Sequence, residues 1–124
     1  MWTVAEKSSD LKIRTKDFAQ RIIKLVDSLP RRLSTEVIGR QLIKSATSVG
    51  ANYRSARRGR STAEFCAKLG IVEEEADESE YWLELLAESN ILPREQLQDL
   101  IQEAREILAM VVASIRTARS RNDG

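Results

Sequence analysis

Apolar residues recur along most of the chain at steps of three, four and seven positions, which is the spacing of one face of an α-helix. The first such stretch runs from about Ser9 to Ser28. Its predicted buried face consists of Leu11, Phe18, Ile22, Leu25 and Leu29. Pro30 follows directly and disfavours helix in the residue before it, so we predict that the first helix ends there.

The second stretch begins near Ser34 and Thr35, two residue types that are favoured as helix N-caps. Gly59 is predicted to end it, because glycine readily accepts the left-handed conformation of a C-cap. The inner face of this helix is predicted to consist of Ile38, Leu42, Ser45, Val49, Asn52 and Ala56. A second stripe, rich in arginine and lysine, lies on another side of the helix, so one side is packed and another is positively charged.

The third stretch opens with a predicted capping box, in which Ser61 accepts a backbone hydrogen bond and Glu64 reaches back to another. Its core stripe reads Phe65, Leu69, Val72, Ala76, Ser79, Leu83 and Leu86. The fourth opens at Pro93, which suits the first position of a helix. Its buried face is predicted to be Leu97, Leu100, Ile101, Ala104, Leu108, Val111, Ile115 and Ala118.

All three connections between these stretches are short, which makes sequential helices antiparallel neighbours. No alternating strand pattern competes with the helical one. We therefore predict an all-α protein, an antiparallel up-down-up-down four-helix bundle that forms a single domain over residues 1–124. Residues 1–8 and 120–124 are expected to fray.

The composition fits a globular protein, with 42% hydrophobic and 31% charged residues in a chain of 124. The one cysteine, Cys66, cannot form an internal disulfide, which suits a reducing compartment, and we interpret it as a small helix residue. The sequence has neither an apolar run long enough to span a membrane nor the apolar region of a signal peptide. We expect a cytoplasmic protein without a membrane partner.

Charge is strongly segregated along the chain, although its formal net value is only +1. Between residues 30 and 70 nine basic residues face two acidic ones, whereas between residues 71 and 106 twelve acidic residues face two basic ones. Separated blocks of this kind predict complementary charged surfaces, within one chain or between copies.

The densest basic segment provides the best candidate for a ligand surface. It contains four arginines in seven residues, namely Arg54, Arg57, Arg58 and Arg60. Guanidinium groups bind phosphates with forked hydrogen bonds, which favours RNA or DNA as the partner. Alternatively, the protein is an interaction scaffold, and the same arginines cap the hairpin and pair with acidic residues of neighbouring subunits.

The third helix has more apolar surface than one packing face requires. Away from its core stripe it carries Ile71, Tyr81, Trp82 and Leu85. Tryptophan and tyrosine are enriched in interface cores, which predicts a homo-oligomer formed through these four residues. The alternative is a thick bundle in which Trp82 is half-exposed.

Acidic residues cluster on the same helix, but the chain has no histidine, and we predict no metal site. A hairpin that turns near Gly59 predicts instead a polar ladder between the second and third helices, which would fix their register. Its members are Gln41, Lys44 and Ser45 opposite Glu74, Glu75 and Glu78. Without histidine or a glycine-rich phosphate loop, the sequence predicts no enzyme, no catalytic residues and no cofactor.

Several motifs together resemble those of a known protein family. They comprise Gly50-Ala51-Asn52-Tyr53-Arg54, Gly59-Arg60-Ser61, Glu64-Phe65, Lys68-Leu69, Glu74-Glu75-Ala76-Asp77-Glu78 and Tyr81-Trp82-Leu83-Glu84-Leu85. This combination resembles the bacterial four-helix-bundle proteins encoded in intervening sequences of 23S ribosomal RNA genes. The resemblance covers most of the chain and is densest from Gln41 to Leu86.

The resemblance implies an up-down bundle that assembles into a homopentamer and has no known enzymatic activity. It also relates the chain to the accessory variability determinant of diversity-generating retroelements, a basic pentamer. That protein binds nucleic acid and partners a reverse transcriptase. The partners that the resemblance implies are therefore further copies of the chain, RNA or DNA, and a reverse transcriptase or another protein.

Overall fold

A computed structural model describes the backbone of residues 10–123, with side chains to residue 121. It contains four helices, and no strand occurs within that range. They are α1 (Leu11–Asp27), α2 (Leu33–Arg57), α3 (Thr62–Glu88) and α4 (Arg94–Asp123). Helix α4 continues through Asp123, and the fraying expected of residues 120–124 stays a prediction. The fraying expected of residues 1–8 lies outside the described residues.

The helices pack as the antiparallel four-helix bundle that the sequence predicts. Helix α3 packs against both α2 and α4, while α1 packs against α2 and, less extensively, against α4. The up-down-up-down path brings the start of α1, the turn between α2 and α3, and the end of α4 to one end of the bundle. We call this the hairpin end.

The core follows the predicted apolar faces closely. All five residues of the first predicted face are buried, and Phe18 and Ile22 are fully enclosed, but Leu29 lies two residues beyond the end of α1. On α3 the predicted stripe from Leu69 to Leu86 is buried, whereas Phe65 at its start is only half-buried. On α4 the prediction was wrong at two positions, because Ile107 is fully buried in place of Leu108, and Leu108 and Ala118 are only partly buried.

Helix α2 starts two residues earlier than its N-cap signals predicted. Its N-cap is Arg32, and Ser34 lies exposed inside the first turn. Thr35 is buried, and its hydroxyl accepts a hydrogen bond from the backbone amide of Arg32 at 3.0 Å and donates one to the carbonyl of Pro30. Thr35 therefore ties the helix start to the preceding turn from inside the helix.

A residue with left-handed backbone conformation, which was not predicted from the sequence, follows the end of α3. Asn90 has a φ of 57° and follows the C-cap Ser89. The amide of Ile91 donates to the carbonyl of Leu86 at 3.0 Å, and that of Asn90 donates to Ala87 at 3.1 Å. These are the two bonds of a Schellman motif, with asparagine in the position that glycine often takes.

Candidate nucleic-acid interface

The four arginines of the predicted binding segment lie together at the hairpin end. Arg54 and Arg57 belong to the last turn of α2, Arg58 is its C-cap, and Arg60 lies in the turn to α3. All four side chains are exposed. The structure thus brings them to one surface, which we call the arginine surface.

Two hydrogen bonds fix the turn beside these arginines: the predicted N-cap bond of Ser61 forms, and Glu64 reaches back as predicted, although to the residue before the N-cap. The hydroxyl of Ser61 accepts from the amide of Glu64 at 3.1 Å, and the Glu64 carboxylate accepts from the amide of Arg60 at 2.6 Å. Two amides at the start of α3 therefore already have partners within the chain.

Gly59 ends α2 for a different reason from the predicted one. None of the described glycines has a positive φ, so Gly59 does not adopt the left-handed C-cap conformation. Instead the backbone approaches closely there. A Cβ atom at Gly59 would lie 3.0 Å from the carbonyl oxygen of Ala56 and 3.2 Å from the amide nitrogen of Phe65. Lack of space, and not backbone torsion, accounts for glycine at this turn.

Two grooves flank the arginine surface. The smaller, of about 310 Å³, lies along the turn between α2 and α3, and its charged lining residues are Arg54, Arg58, Arg60, Glu64 and Lys68. The larger, of about 650 Å³, lies between α1 and α2, and we call it the α1–α2 groove. Its cationic lining residues are Lys12, Lys16, Arg54, Arg57 and Arg58.

Lys12 and Lys16 are members of the basic surface that the sequence analysis missed. They lie one turn apart at the start of α1, and both are exposed. The signal was present in the predicted topology, because antiparallel packing sets the start of α1 beside the end of α2. Asp10 also lies there, and its carboxylate is 3.8 Å from a guanidinium nitrogen of Arg57, both side chains being largely exposed. Such an exposed pair contributes little to stability.

The last turns of α4 add further positive charge to the hairpin end. Arg116, Arg119 and Arg121 are exposed there. The acidic residues that dominate the later part of the sequence lie mainly along α3 and the first half of α4, away from this end. The segregation of charge along the sequence therefore becomes a separation of charge in space.

Within residues 10–121 one hydrogen bond between side chains joins α2 to α3, and it is not one of the predicted ladder pairs. Ser79 donates from its hydroxyl to that of Ser45 at 2.9 Å, and both residues are fully buried. Ser45 therefore faces Ser79, about one helical turn from the predicted Glu75. Burial raises the pKa of Glu75, with a further contribution from Glu78, and the charge of Lys44 opposes the shift.

The other ladder residues are not joined across the two helices. Gln41, Glu74 and Glu78 are exposed, and no hydrogen bond or ion pair links Gln41 or Lys44 to the glutamates of α3 within residues 10–121. The polar contact that fixes this hairpin in the structure is thus the buried serine pair.

The four residues predicted to form an oligomer interface remain incompletely covered by the chain itself. Tyr81 is 55% and Ile71 37% exposed, while Trp82 and Leu85 are half-buried. The rings of Tyr81 and Trp82 meet edge to face with centroids 5.0 Å apart. The indole N–H of Trp82 is buried and has no acceptor in the described part of the chain. We call this side of α3 the apolar side.

A buried ionic cluster joins α1 to α4. The Arg14 guanidinium donates through Nε to Glu103 at 2.9 Å, again to Glu103 through a second nitrogen, and to Glu106 at 2.9 Å. It also contacts the sulfur of Met110 at 3.4 Å. The hydrogen bond to Glu103 raises the pKa of Arg14, and the hydrogen bond from Arg14 lowers the pKa of Glu106.

This cluster was not predicted from the sequence, although a signal existed. Arg14 lies three residues after Leu11 and four before Phe18, so it falls on the apolar face of α1. On α4, Glu103 lies three residues after Leu100 and four before Ile107, so it also falls on an apolar face. Opposite charges at core positions of two neighbouring helices indicate a buried pair, since an isolated buried charge is very costly.

Other site chemistry is sparse in the residues that the structure describes. Cys66 is buried and free, and no group of three or more candidate ligands among these residues is arranged to hold a metal ion. None of the described helices combines the length and the apolarity that crossing a lipid bilayer requires.

Fold and surface together define a four-helix-bundle protein with a basic end and a partly uncovered apolar side. The chain belongs to the 23S rRNA-intervening sequence protein family, whose model matches residues 7–113. This confirms the resemblance that its motifs indicated.

A solved structure supports the same assignment. The chain is similar to a crystal structure of a protein with unknown function from the S23 ribosomal protein family of Bacteroides thetaiotaomicron VPI-5482. The two share 37% sequence identity and a TM-score of 0.81, over 86% of this chain and 98% of the other. No curated protein matches the chain.

Proposed function

We propose that this protein is a non-enzymatic, cytoplasmic homo-oligomer that binds nucleic acid through the hairpin end, with Arg54, Arg57, Arg58 and Arg60 as phosphate contacts. The observation that carries the proposal is the arginine surface itself, where four exposed guanidinium groups lie within a few residues of one another. Lys12 and Lys16 extend the positive surface on α1, and Lys68 extends it on α3. A surface of this kind attracts polyanions and releases their counterions on binding.

Assembly would strengthen such binding, because each copy contributes one basic end. The proposed contact between copies is the apolar side of α3, which leaves Tyr81 and Ile71 substantially exposed. A pentamer is the assembly that the family resemblance implies. Five basic ends in one particle would bind a polyanion more tightly than one end does.

The test compares two matched pairs of arginines in the full-length protein. We expect Arg57→Ala/Arg58→Ala to weaken binding of a fluorescent single-stranded RNA and to flatten its dependence on salt. Each lost phosphate contact with a single strand lowers the slope of log affinity against log salt by about 0.7. Fluorescence anisotropy over a series of salt concentrations measures both quantities.

Arg31→Ala/Arg32→Ala provides the control. These arginines are also adjacent and exposed, but they lie between α1 and α2, at the opposite end of the bundle. The control removes the same amount of positive charge, but from a surface outside the proposed binding site. Equal effects of the two double variants, or no effect of either, would contradict the site assignment.

A second candidate function is a protein-interaction scaffold, in which the arginines pair with acids of a neighbouring subunit. It is favoured by the exposed acidic residues Glu74, Asp77, Glu78 and Glu88, which make no ion pair within residues 10–121. In that case Arg57→Ala/Arg58→Ala reduces the assembly mass without any nucleic acid present, whereas phosphate binding leaves this mass unchanged. Light scattering on the same variant distinguishes the two functions.

A further inference from the structure

The α1–α2 groove differs from an ordinary basic surface because part of its lining is uncharged. Between the cations it is lined by small or neutral residues, among them Ala19, Thr47, Gly50 and Ala51. Gly50 lies where α2 comes close to α1, and a Cβ atom there would stand 3.5 Å from the backbone oxygen of Thr15. The two helices thus approach closely at Gly50, and the small side chains around it leave room for a recess between the helices.

One aromatic residue lines this recess. Tyr53 is half-buried, packs partly against the core and lines the α1–α2 groove. Its hydroxyl makes no hydrogen bond within the described residues. The core contact restricts the side chain, so that little conformational freedom is lost when a second flat group packs against the ring.

Positive charge surrounds the recess on both helices. Lys12 and Lys16 line it from α1, and Arg54, Arg57 and Arg58 line it from α2. No acidic side chain of the described residues belongs to its lining. With a volume of about 650 Å³, the groove is within the range of small-molecule sites and has room for a nucleotide unit.

We propose that the α1–α2 groove binds single-stranded nucleic acid by accepting an unpaired base against Tyr53, while the flanking lysines and arginines contact the adjacent phosphates. The inference rests on the proposed function and specifies its ligand. An aromatic platform beside a cationic track is the arrangement by which proteins hold single strands without sequence preference. A duplex keeps its bases stacked inside the helix and offers only phosphates to this surface.

The experiment removes the aromatic ring or the space while keeping every charge. Tyr53→Leu removes the ring, Tyr53→Phe retains it as the matched control, and Ala51→Leu partly fills the groove from an exposed helix position. The probes are a labelled single strand of about 12 nucleotides, the duplex of the same length, and an abasic single strand that has phosphates but no bases. Circular dichroism confirms that each variant is folded.

We expect the single strand to bind more tightly than either the duplex or the abasic strand. Tyr53→Leu should weaken binding of the single strand about 5- to 150-fold, the range for loss of one stacked base. Ala51→Leu should weaken it as well, Tyr53→Phe should not, and none of the three variants should alter duplex binding or the salt slope.

The outcomes separate this inference from the proposed function on which it rests. If the wild-type protein binds all three probes equally, and Tyr53→Leu changes nothing while Arg57→Ala/Arg58→Ala abolishes binding, the base-binding groove is refuted and phosphate binding stands. If no probe binds to the wild-type protein at low salt, both proposals fail. A loss of single-strand affinity that Tyr53→Phe shares equally with Tyr53→Leu would also refute stacking on the ring.

Discussion

Arg14 and Glu103 show how two charged residues become part of an apolar core. Arg14 is 6% and Glu103 1% exposed, and two hydrogen bonds join them. Taking such groups out of water is expensive, and their mutual attraction offsets that cost only when the geometry is good. The pair therefore selects one alignment of α1 on α4, because any axial shift would leave two buried charges apart.

Removing the cation alone should be strongly destabilising. Arg14→Met keeps most of the side-chain length but leaves the Glu103 carboxylate buried without its counter-charge. We expect a loss of about 3–5 kcal/mol in the free energy of unfolding, measured by urea denaturation. Arg14→Met/Glu103→Leu should recover most of this loss, because an apolar pair fits the same site.

Arg105 provides the control for the buried pair. It also binds two glutamates, Glu80 at 2.9 Å and Glu84 at 3.2 Å, but it does so on the surface between α3 and α4. Solvent screens this contact, so Arg105→Met should have a much smaller effect than Arg14→Met. Similar losses for the two variants would show that burial does not determine the strength of these pairs.

At the scale of the helices, the boundaries depend on hydrogen bonds at their ends. Serine precedes the start of α3 and also lies at the start of α2, yet the two serines have different roles. Ser61 accepts the amide of Glu64, whereas Ser34 lies inside the first turn of α2 and is exposed. The start of α2 is held by the hydrogen bonds of Thr35 instead.

This difference predicts unequal effects of the same substitution. Ser61→Ala removes the N-cap of α3 and should lower the free energy of unfolding by about 1 kcal/mol. Ser34→Ala removes no cap and should leave stability nearly unchanged. Urea denaturation of both variants measures the contrast, and a larger loss for Ser34→Ala would overturn the assignment of the caps.

At the scale of the whole molecule, the bundle has two surfaces with different properties. The hairpin end is positively charged, and the apolar side of α3 runs along the bundle away from it. Joining copies through the apolar side therefore leaves the basic ends free to act together. This arrangement is what links the proposed assembly to the proposed binding.

The assembly can be tested with exposed residues, whose replacement should not disturb the fold. Ile71→Glu/Tyr81→Glu adds charge to the apolar side of α3, and we expect it to reduce the assembly to single chains in light scattering. Leu33→Glu/Val37→Glu is the control, because these residues of α2 are also exposed, at 79% and 51%. A wild-type mass equal to one chain at every concentration would rule out the assembly.

Helix positions, topology and most of the core could be predicted from the order of the residues. Apolar side chains at helical spacing leave few alternatives, and short connections determine which helices are neighbours. The basic segment at residues 54–60 was also predictable, because its arginines are close along the chain. The N-cap bond of Ser61 depends on four consecutive residues, and it too was identified in advance.

Only the tertiary structure decided which distant residues meet. It joined Arg14 to Glu103, set Ser45 against Ser79, and brought Lys12 and Lys16 beside the arginines of α2. Each contact depends on how two helices are rotated and aligned along their axes. The apolar pattern of a single helix does not determine this alignment to within one turn. A single turn is enough to exchange one partner for another, which is why the sequence determined the faces of the helices and the packing determined their contacts.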